Sequence, residues 1–393
     1  MLKPVPAGRA GRDRSTIEFS QNPAATSIPL MFKQLITIAR NTFTESIRQP
    51  IFSVLILVGF LGLALNLQLA AYTFDNDNLL LVQFGLSTIL LVCLLLAAFT
   101  ATSVLSEEIE TRTVLTVVSK PVPRPVFVLG KYLGVAGAIT LAMWCLSVVF
   151  LLTLRHRVMS TARDDVDGPV VLFGLLAVLG SIAIGVAANF LYRQVFTSVL
   201  VKALAGSLAV ALLGVLLLDR SWSLQSPITE LLASDRLMLE CIVALVIVLG
   251  AVWILSAVAI AASTRLGQVM TLMVCLGVFI VGLISGSLDH LVEQQLGLAT
   301  SMGPAGTFEA IFASDAAFGL KLVYTLLEVL YLLLPNLQLF WPADAITLGN
   351  SLLYTPEGGL SLVYLGSTAA YGLLYIAAVL ALAVALFHRR EVG

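Results

Sequence analysis

The sequence is short of charge for its length. Asp, Glu, Lys and Arg make up 11% of the 393 residues, whereas hydrophobic residues make up 59%. Soluble domains carry about 25% charged residues, so this chain cannot cover its apolar surface with polar groups in water. Its mean hydropathy is +0.99. The composition therefore excludes an ordinary soluble domain and predicts a protein of the lipid bilayer.

Sequence signatures of catalysis are also missing. The chain has no GxxxxGK[ST] P-loop, so we do not expect it to bind and hydrolyse ATP in that manner. HExxH and GxSxG are absent as well, and the three histidines are far apart. We therefore expect a non-catalytic protein with no metal or other cofactor of its own. Four single cysteines lie inside apolar runs and are expected to be small buried hydrophobes: Cys93, Cys145, Cys241 and Cys275.

Long apolar runs dominate what is present. A helix needs about 20 mostly apolar residues to cross a bilayer. Eight runs meet that length: 51–71, 80–105, 127–154, 170–191, 195–218, 240–262, 267–287 and 361–387. A shorter run, 319–334, carries Lys321 and Glu328 and precedes Pro335, which suits a re-entrant or interfacial helix better than a ninth span. The predicted fold is all-α and polytopic, with about eight transmembrane helices.

Two segments precede the first span. Residues 1–30 contain four basic residues and no apolar core, so they are predicted to be a flexible cytoplasmic tail and not a cleavable signal. In residues 31–49, apolar side chains recur at three- and four-residue spacing. This spacing predicts an amphipathic helix that lies flat in the membrane interface. The remaining residues, 50–393, form one transmembrane domain, in which 288–360 is the long extracytoplasmic segment.

The charge distribution predicts the orientation. With eight spans, the segments 1–50, 106–131, 192–202, 263–268 and the tail after Phe387 lie on one side. They hold 16 of the 22 Lys and Arg residues but only 7 of the 23 acids. Basic residues are enriched in cytoplasmic segments. Both termini are therefore predicted to be cytoplasmic.

The centres of the predicted spans lack ionisable residues, which ion-driven carriers usually place there. Lys202 comes closest, eight residues into the fifth run, and its side chain can extend to the interface. The spans therefore resemble a passive pathway whose energy comes from outside the membrane. An ion-gradient-driven secondary transporter and a non-transporting membrane scaffold stay as alternatives.

Two glycine pairs in the spans have the spacing that lets helices approach closely. They are Gly130-x-x-x-Gly134 and Gly282-x-x-x-Gly286. Apolar sequences rich in glycine also contain this spacing by chance, so it does not by itself predict dimerisation.

The connector 105–126 is the most elaborate polar segment between two spans. Glu107, Glu108 and Glu110 are expected in the early part of a short helix, where carboxylates are favourable. Glu108 and Arg112 form a favourable i,i+4 pair. Prolines then end the helix and stiffen the exit: Pro121, Pro123 and Pro125. We interpret the connector as a docking site through which another protein transmits movement to the spans.

The stretch SEEIETRTVLTVVSKPVPRPVFVLGKYLG resembles the E-x-E-x-x-T…L…x-P-V-x-R…GK region of ABC-2 type exporter permeases. The resemblance implies a cytoplasmic coupling region that docks on a separate P-loop ATPase, which holds ATP and Mg²⁺. The residues that would face the ATPase are Glu107, Glu108, Glu110, Thr111, Arg112 and Thr113.

The same resemblance implies further partners and a location. It implies a second copy of this chain or a related permease, export as the direction, and a bacterial cytoplasmic (inner) membrane. No nucleic-acid partner is expected. The family commonly has six spans, so the pair at about 170–218 is an addition. The sequence indicates no cargo.

Overall fold

The computed structural model describes residues 28–70, 77–110, 123–156, 166–227, 237–295, 318–343 and 362–388, together with residues 311 and 346. The helices are α1 (Ile28–Arg48), α2 (Pro50–Ala70), α3 (Asp77–Glu110), α4 (Arg124–His156), α5 (Gly168–Tyr192), α6 (Phe196–Leu217), α7 (Leu237–Ser263), α8 (Gln268–Gln295), α9 (Phe318–Leu333) and α10 (Leu362–His388). A short 3-10 turn covers Leu337–Phe340. Over these ranges there is no strand, so the all-α fold class is confirmed.

Eight of these helices are long and apolar enough to cross a membrane: 50–69, 80–104, 124–156, 168–192, 196–217, 237–263, 268–285 and 363–387. Each boundary lies within three residues of the one predicted from hydropathy. The four cysteines are free and buried, as predicted. The chain therefore has the architecture of a multi-pass membrane protein.

Contacts between helix ends define two ends of the bundle. One end is joined by four contacts: Lys131 with the carbonyl of Val104, Thr197 with the carbonyl of Arg48, Arg265 with the carbonyl of Leu386, and Phe127 stacked on Phe387. We call it the proximal end; α2, α4, α6 and α8 begin there. At the opposite, distal end, Arg155 at the end of α4 contacts the end of α6. The proximal end is the side that the charges predict to be cytoplasmic.

Three helices form the centre of the bundle. In the spans of α3, α4 and α7, 61% to 72% of residues are buried, against 22% to 33% in the other five. The additional pair, α5 and α6, packs mainly on itself and also touches α4, α1 and α2. The pair is therefore an appended hairpin that leaves the α3–α4–α7 core uninterrupted.

Helix α1 packs along the first half of α4. A Cβ on Gly130 would lie 2.7 Å from Ile38 Cγ2, and one on Gly134 would lie 2.5 Å from Thr42 Cβ. Both partners advance by four residues, so α1 and α4 run in the same direction here. The glycine pair thus serves packing within one chain.

The helix predicted over 31–49 is present, although it begins at Ile28, so residues 28–30 belong to it and not to the tail. Residues 1–27 lie outside the described residues. Phe32 is 62% exposed and Ile36 51%, which leaves an apolar strip on its surface. Its flat position in the membrane interface is not confirmed, because α1 follows α4 over their contact.

The segment before the last span enters the bundle and turns back. Three tyrosines of α10 record its depth: Tyr375 donates to the carbonyl of Leu333 at 3.1 Å, Tyr371 accepts from the N–H of Asn336 at 2.9 Å, and Tyr364 donates to the carbonyl of Leu339 at 2.6 Å. Tyr375 is the middle residue of the span Val363–Phe387, and Tyr364 lies at its distal end. The chain therefore runs from mid-depth at Leu333 back toward the distal end. Because α8 ends and α10 begins at that end, we infer a re-entrant path.

The irregular backbone of this turn is enclosed by protein. Pro335, Leu337, Phe340 and Pro342 are buried, and the carbonyl of Pro335 would lie 2.7 Å from a Cβ on Gly282 of α8. Non-helical backbone is tolerated at membrane depth only where protein or a water-filled cavity covers it. Gly282 thus makes room for the re-entrant turn.

Candidate functional site

The residues predicted to couple to an ATPase lie at the proximal end of α3. Glu107, Glu108 and Glu110 belong to its last turns, beyond the apolar span Leu80–Val104. Thr111, Arg112 and Thr113 lie outside the described residues. A helix of 34 residues is about 51 Å long, whereas the hydrocarbon core is about 30 Å thick. Helix α3 therefore carries three carboxylates past the apolar region.

The expectation that these carboxylates begin a short separate helix is wrong. Helix α3 is unbroken from Asp77 to Glu110, so they lie in its last described turns. The physical reason is local: no glycine or proline occurs between Leu86 and Lys120, so nothing ends the helix where the apolar run ends. These acids therefore lie far from the positive N-terminal end of a helix, and the favourable interaction expected there does not apply. Their contact with an ATPase stays a prediction.

Lys131 on α4 contacts α1 and α3 next to this extension, and Phe127 beside it contacts α10. Its Nζ lies 3.9 Å from Glu45 Oε2 on α1, 3.4 Å from the carbonyl oxygen of Val104 on α3, and 5.7 Å from the ring centre of Phe127 on α4. Phe127 stacks on Phe387 of α10 with ring centres 5.6 Å apart. We call Lys131, Glu45, Val104, Phe127 and Phe387 the Lys131 anchor. These contacts connect the proximal part of α3 to α1, α4 and α10.

Burial explains why this lysine has several partners. Its side chain is 5% exposed, whereas that of Glu45 is 46% exposed. A buried ammonium group is costly unless it has compensating contacts, and here a carboxylate, a carbonyl and an aromatic face supply them. A second link lies close by, because Gln49 Nε2 donates to Ser103 Oγ on α3. The proximal end of α3 is thus tied on two sides.

A second buried charge cluster closes the distal end. Asp167 Oδ2 lies 3.4 Å from Arg155 Nε and 3.6 Å from Arg220 Nε. Arg155 also donates to the carbonyls of Val215 and Leu218 at the end of α6. Asp167 is wholly buried and caps α5, since its Oδ1 accepts from the N–H of Val170 at 3.2 Å. The cluster therefore fastens α4, α5 and α6 together.

An apolar cavity of about 400 Å³ lies at mid-depth between α7 and α10. Gly250, the middle residue of α7, and Gly372 both face Phe340 of the re-entrant turn; a Cβ there would lie 2.7 Å and 3.2 Å from its ring. Trp253 and Thr368 also line the cavity. The cavity offers space for an apolar group and little polar chemistry.

Glu328 is an acidic residue of the run 319–334 for which the sequence predicted no functional role. It is 1% exposed on α9, within the re-entrant segment. Ionisable side chains buried at membrane depth are rare and are often functional. The signal was available in the sequence as an acid inside the apolar run 319–334, but only the re-entrant path places it within the bundle.

The fold and these sites define a class, a polytopic α-helical membrane protein whose second span continues past the apolar region. Among the residues that the structure describes, no group of three His, Cys, Asp or Glu side chains could hold a metal ion. No protein-family model matches the chain, and no curated protein matches it either. A more particular assignment is therefore a proposal from the residues themselves.

Proposed function

We propose that this chain is the permease subunit of an ATP-binding cassette exporter, driven by a P-loop ATPase on a separate chain. The observation that carries the proposal is the α3 extension, which presents Glu107, Glu108 and Glu110 outside the apolar span and is held at its base by Lys131. The resemblance of this stretch to ABC-2 type permeases supports it. In this proposal the chain performs no bond chemistry, and ATP and Mg²⁺ reside on the partner.

The proposed mechanism is a change in relative stability of two arrangements of the helices. The nucleotide-bound ATPase binds one arrangement of the helices more tightly than the other, so nucleotide shifts the equilibrium toward that arrangement. Movement of Glu107–Thr113 displaces the end of α3. The Lys131 anchor then shifts α1, α4 and α10 with it. A second permease, identical or related, completes the pathway, and the apolar cavity beside Phe340 suits an apolar part of the cargo.

The proposed setting is a bacterial cytoplasmic membrane with both termini in the cytoplasm. The proximal end carries many basic side chains, including Arg48, Arg124, Arg193 and Arg265, which agrees with the positive-inside rule. In this orientation the α3 extension faces the compartment that holds ATP.

The test is purification of the chain in mild detergent from its native membrane. We expect a protein with a GxxxxGK[ST] motif to co-purify, and the complex to hydrolyse ATP. Reversal of the three carboxylates (Glu107→Lys, Glu108→Lys, Glu110→Lys) should release the ATPase. The matched control is Asp219→Lys, at an exposed turn of the distal end, which should keep it. A complex that stays intact and active after the triple reversal would overturn the proposal.

A second candidate is a carrier driven by an ion gradient, and buried Glu328 favours it specifically. In that case Glu328 would take up and release the coupling proton or cation within the bundle. Collapse of the proton gradient at constant ATP should then stop transport, and Glu328→Gln should do the same while the protein remains folded. Transport that persists under both conditions excludes this candidate.

A further inference from the structure

A basic cavity lies at the proximal end, between the α1–α2 junction and the turn that joins α5 to α6. Its volume is about 660 Å³. Three cations line it, Arg48, Arg193 and Lys202, and among the described residues no carboxylate does. The other lining residues are Gln194, Ser198, Ile184, Val195, Val199 and Ala203. We call this the basic cavity.

The backbone brings the three cations together. Thr197 Oγ1 donates to the carbonyl of Arg48 at 2.8 Å and so holds the α1–α2 junction against the start of α6. Arg193 ends α5 in the left-handed conformation with φ 52°, which few residues other than glycine adopt. Asn189 fixes the same turn by donating to the carbonyl of Gln194 at 2.8 Å. A strained turn thus places an arginine where two other cations already lie.

The three positive charges are not neutralised within the described part of the chain. The structure records no ion pair for Arg48, Arg193 or Lys202 there. Charges of one sign that converge on a cavity repel one another, and an anion between them removes that repulsion. Arginine is suited to this because its planar fork binds phosphate oxygens in pairs.

The start of α6 adds uncharged donors to the same cavity. Its N-cap residue, Val195, makes no side-chain hydrogen bond, so the first N–H groups of α6 lack that partner. Ser198 is 7% exposed, lines the cavity, and has no hydrogen bond from its hydroxyl to any described residue. The hydroxyl oxygen itself is open to the cavity, so it can donate to an anion bound there.

The surroundings point to a lipid as the source of the anion. The cavity lies at the ends of two spans, where headgroups meet the hydrocarbon. The last residues of α5 beside it are exposed and apolar: Phe190 is 85% exposed, Leu191 67% and Tyr192 74%. Tyrosine is enriched at this depth, and basic pockets between spans bind anionic headgroups.

We propose that the basic cavity binds the phosphate of an anionic phospholipid. Arg48, Arg193, Lys202 and Ser198 hold the phosphate oxygens, and the acyl chains lie along the exposed end of α5. The bound lipid then connects the α1–α2 junction to the α5–α6 hairpin. This site is independent of any ATPase and of the direction of transport.

The test uses the full chain, stripped of lipid in detergent, with phosphatidylglycerol, phosphatidylcholine or inorganic phosphate added back. Native mass spectrometry counts bound lipid, and thermal unfolding reports its effect. We expect tight retention and thermal protection from phosphatidylglycerol and not from phosphatidylcholine. Each of Arg48→Gln, Arg193→Gln and Lys202→Gln should weaken binding about fivefold.

Two controls separate a site from general charge. Arg40→Gln removes an exposed cation of α1 that does not line the cavity, and Lys202→Arg keeps the charge. Both should bind as the unchanged protein does. Equal loss in Arg40→Gln and Arg193→Gln would overturn the proposal. Protection by inorganic phosphate with no preference for phosphatidylglycerol would also overturn it, because the source would then be a soluble anion. The comparison of two lipids on the unchanged protein does not depend on any variant folding.

Discussion

The two ends of the bundle hold their buried cations in opposite ways. At the distal end, Asp167 is wholly buried and lies within 3.6 Å of both Arg155 and Arg220. At the proximal end, Lys131 lies 3.9 Å from Glu45, whose side chain is 46% exposed. The Arg155–Asp167 pair is short and buried on both sides, although Arg220 is 43% exposed, whereas the Lys131–Glu45 pair is longer and has an exposed carboxylate.

The difference predicts which of the two contacts is harder to break. Separation of a buried ion pair leaves uncompensated charge in a medium of low dielectric constant, which costs several kcal/mol. When Lys131 and Glu45 separate, water can hydrate the exposed carboxylate, and the buried ammonium keeps the carbonyl of Val104 and the ring of Phe127, so we expect a smaller loss. We therefore expect the contact between Arg155 and Asp167 to be harder to break than the contact between Lys131 and Glu45.

Loss of Asp167 should have the largest effect. Asp167→Ala leaves buried Arg155 without its carboxylate and removes the cap of α5, so we expect about 3–5 kcal/mol of destabilisation. SDS titration in mixed micelles measures it. Leu224→Ala changes a side chain that is 84% exposed at the same end, so it should alter stability by less than about 0.5 kcal/mol. Equal effects of the two changes would show that the distal cluster does not stabilise the bundle.

Crowding the contact between α1 and α4 should come next. In Gly134→Ala the new Cβ would lie 2.5 Å from Thr42 Cβ and 2.6 Å from the carbonyl of Ala39, so we expect a loss of about 1–3 kcal/mol. Gly180→Ala on α5 makes the same change in open space and should not destabilise. The same SDS titration compares the two. An unchanged Gly134→Ala protein would mean that α1 does not depend on this close approach.

Lys131→Met tests the proximal end itself. Methionine keeps the apolar stem but removes the charge, so we expect about 1 kcal/mol of lost stability, well below the effect of Asp167→Ala. In a complex with an ATPase, the same change should uncouple ATP hydrolysis from transport. Stability is measured by SDS titration and coupling by the ratio of the two rates. A loss of stability as large as that of Asp167→Ala would show that the two ends of the bundle do not differ in this respect.

The hydrogen bonds of the re-entrant segment should give the smallest effect. Tyr364→Phe removes one donor to the carbonyl of Leu339 and should cost about 0.5–1.5 kcal/mol. Tyr192→Phe alters a tyrosine that is 74% exposed and serves as the control, with no loss expected. Hydrogen exchange at residues 336–340 should rise in the first variant only. No change in exchange would indicate that Tyr364 does not hold the turn.

The spans were predictable because hydropathy over about 20 residues depends on composition alone. Helix α3 shows where that reasoning stops. Its apolar run ends at Val104, yet the helix continues to Glu110, because a helix ends at a breaker or a cap and not at a change of polarity. For this reason Glu107, Glu108 and Glu110 were predicted to lie at the start of a helix, whereas they lie near the end of α3.

The Lys131 anchor and the basic cavity were beyond prediction for another reason. Lys131 and Glu45 belong to helices separated by two spans, and hydropathy contains no pairing information. Lys202 was interpreted as a single anchor at the interface, which agrees with its exposure but omits Arg48 and Arg193. Each partner comes from a different segment, so only packing could show that they meet.

By itself, the sequence determined that this chain is an all-helical, multi-pass membrane protein. Backbone N–H and C=O groups in lipid must pair with each other, and long apolar runs satisfy this requirement as helices. It also located the polar connector and predicted the side on which it lies. The tertiary structure decided which helices form the core, that the segment before α10 turns back at mid-depth, and which charges meet. Those outcomes depend on side-chain contacts between distant segments, whose energies have no counterpart in local sequence.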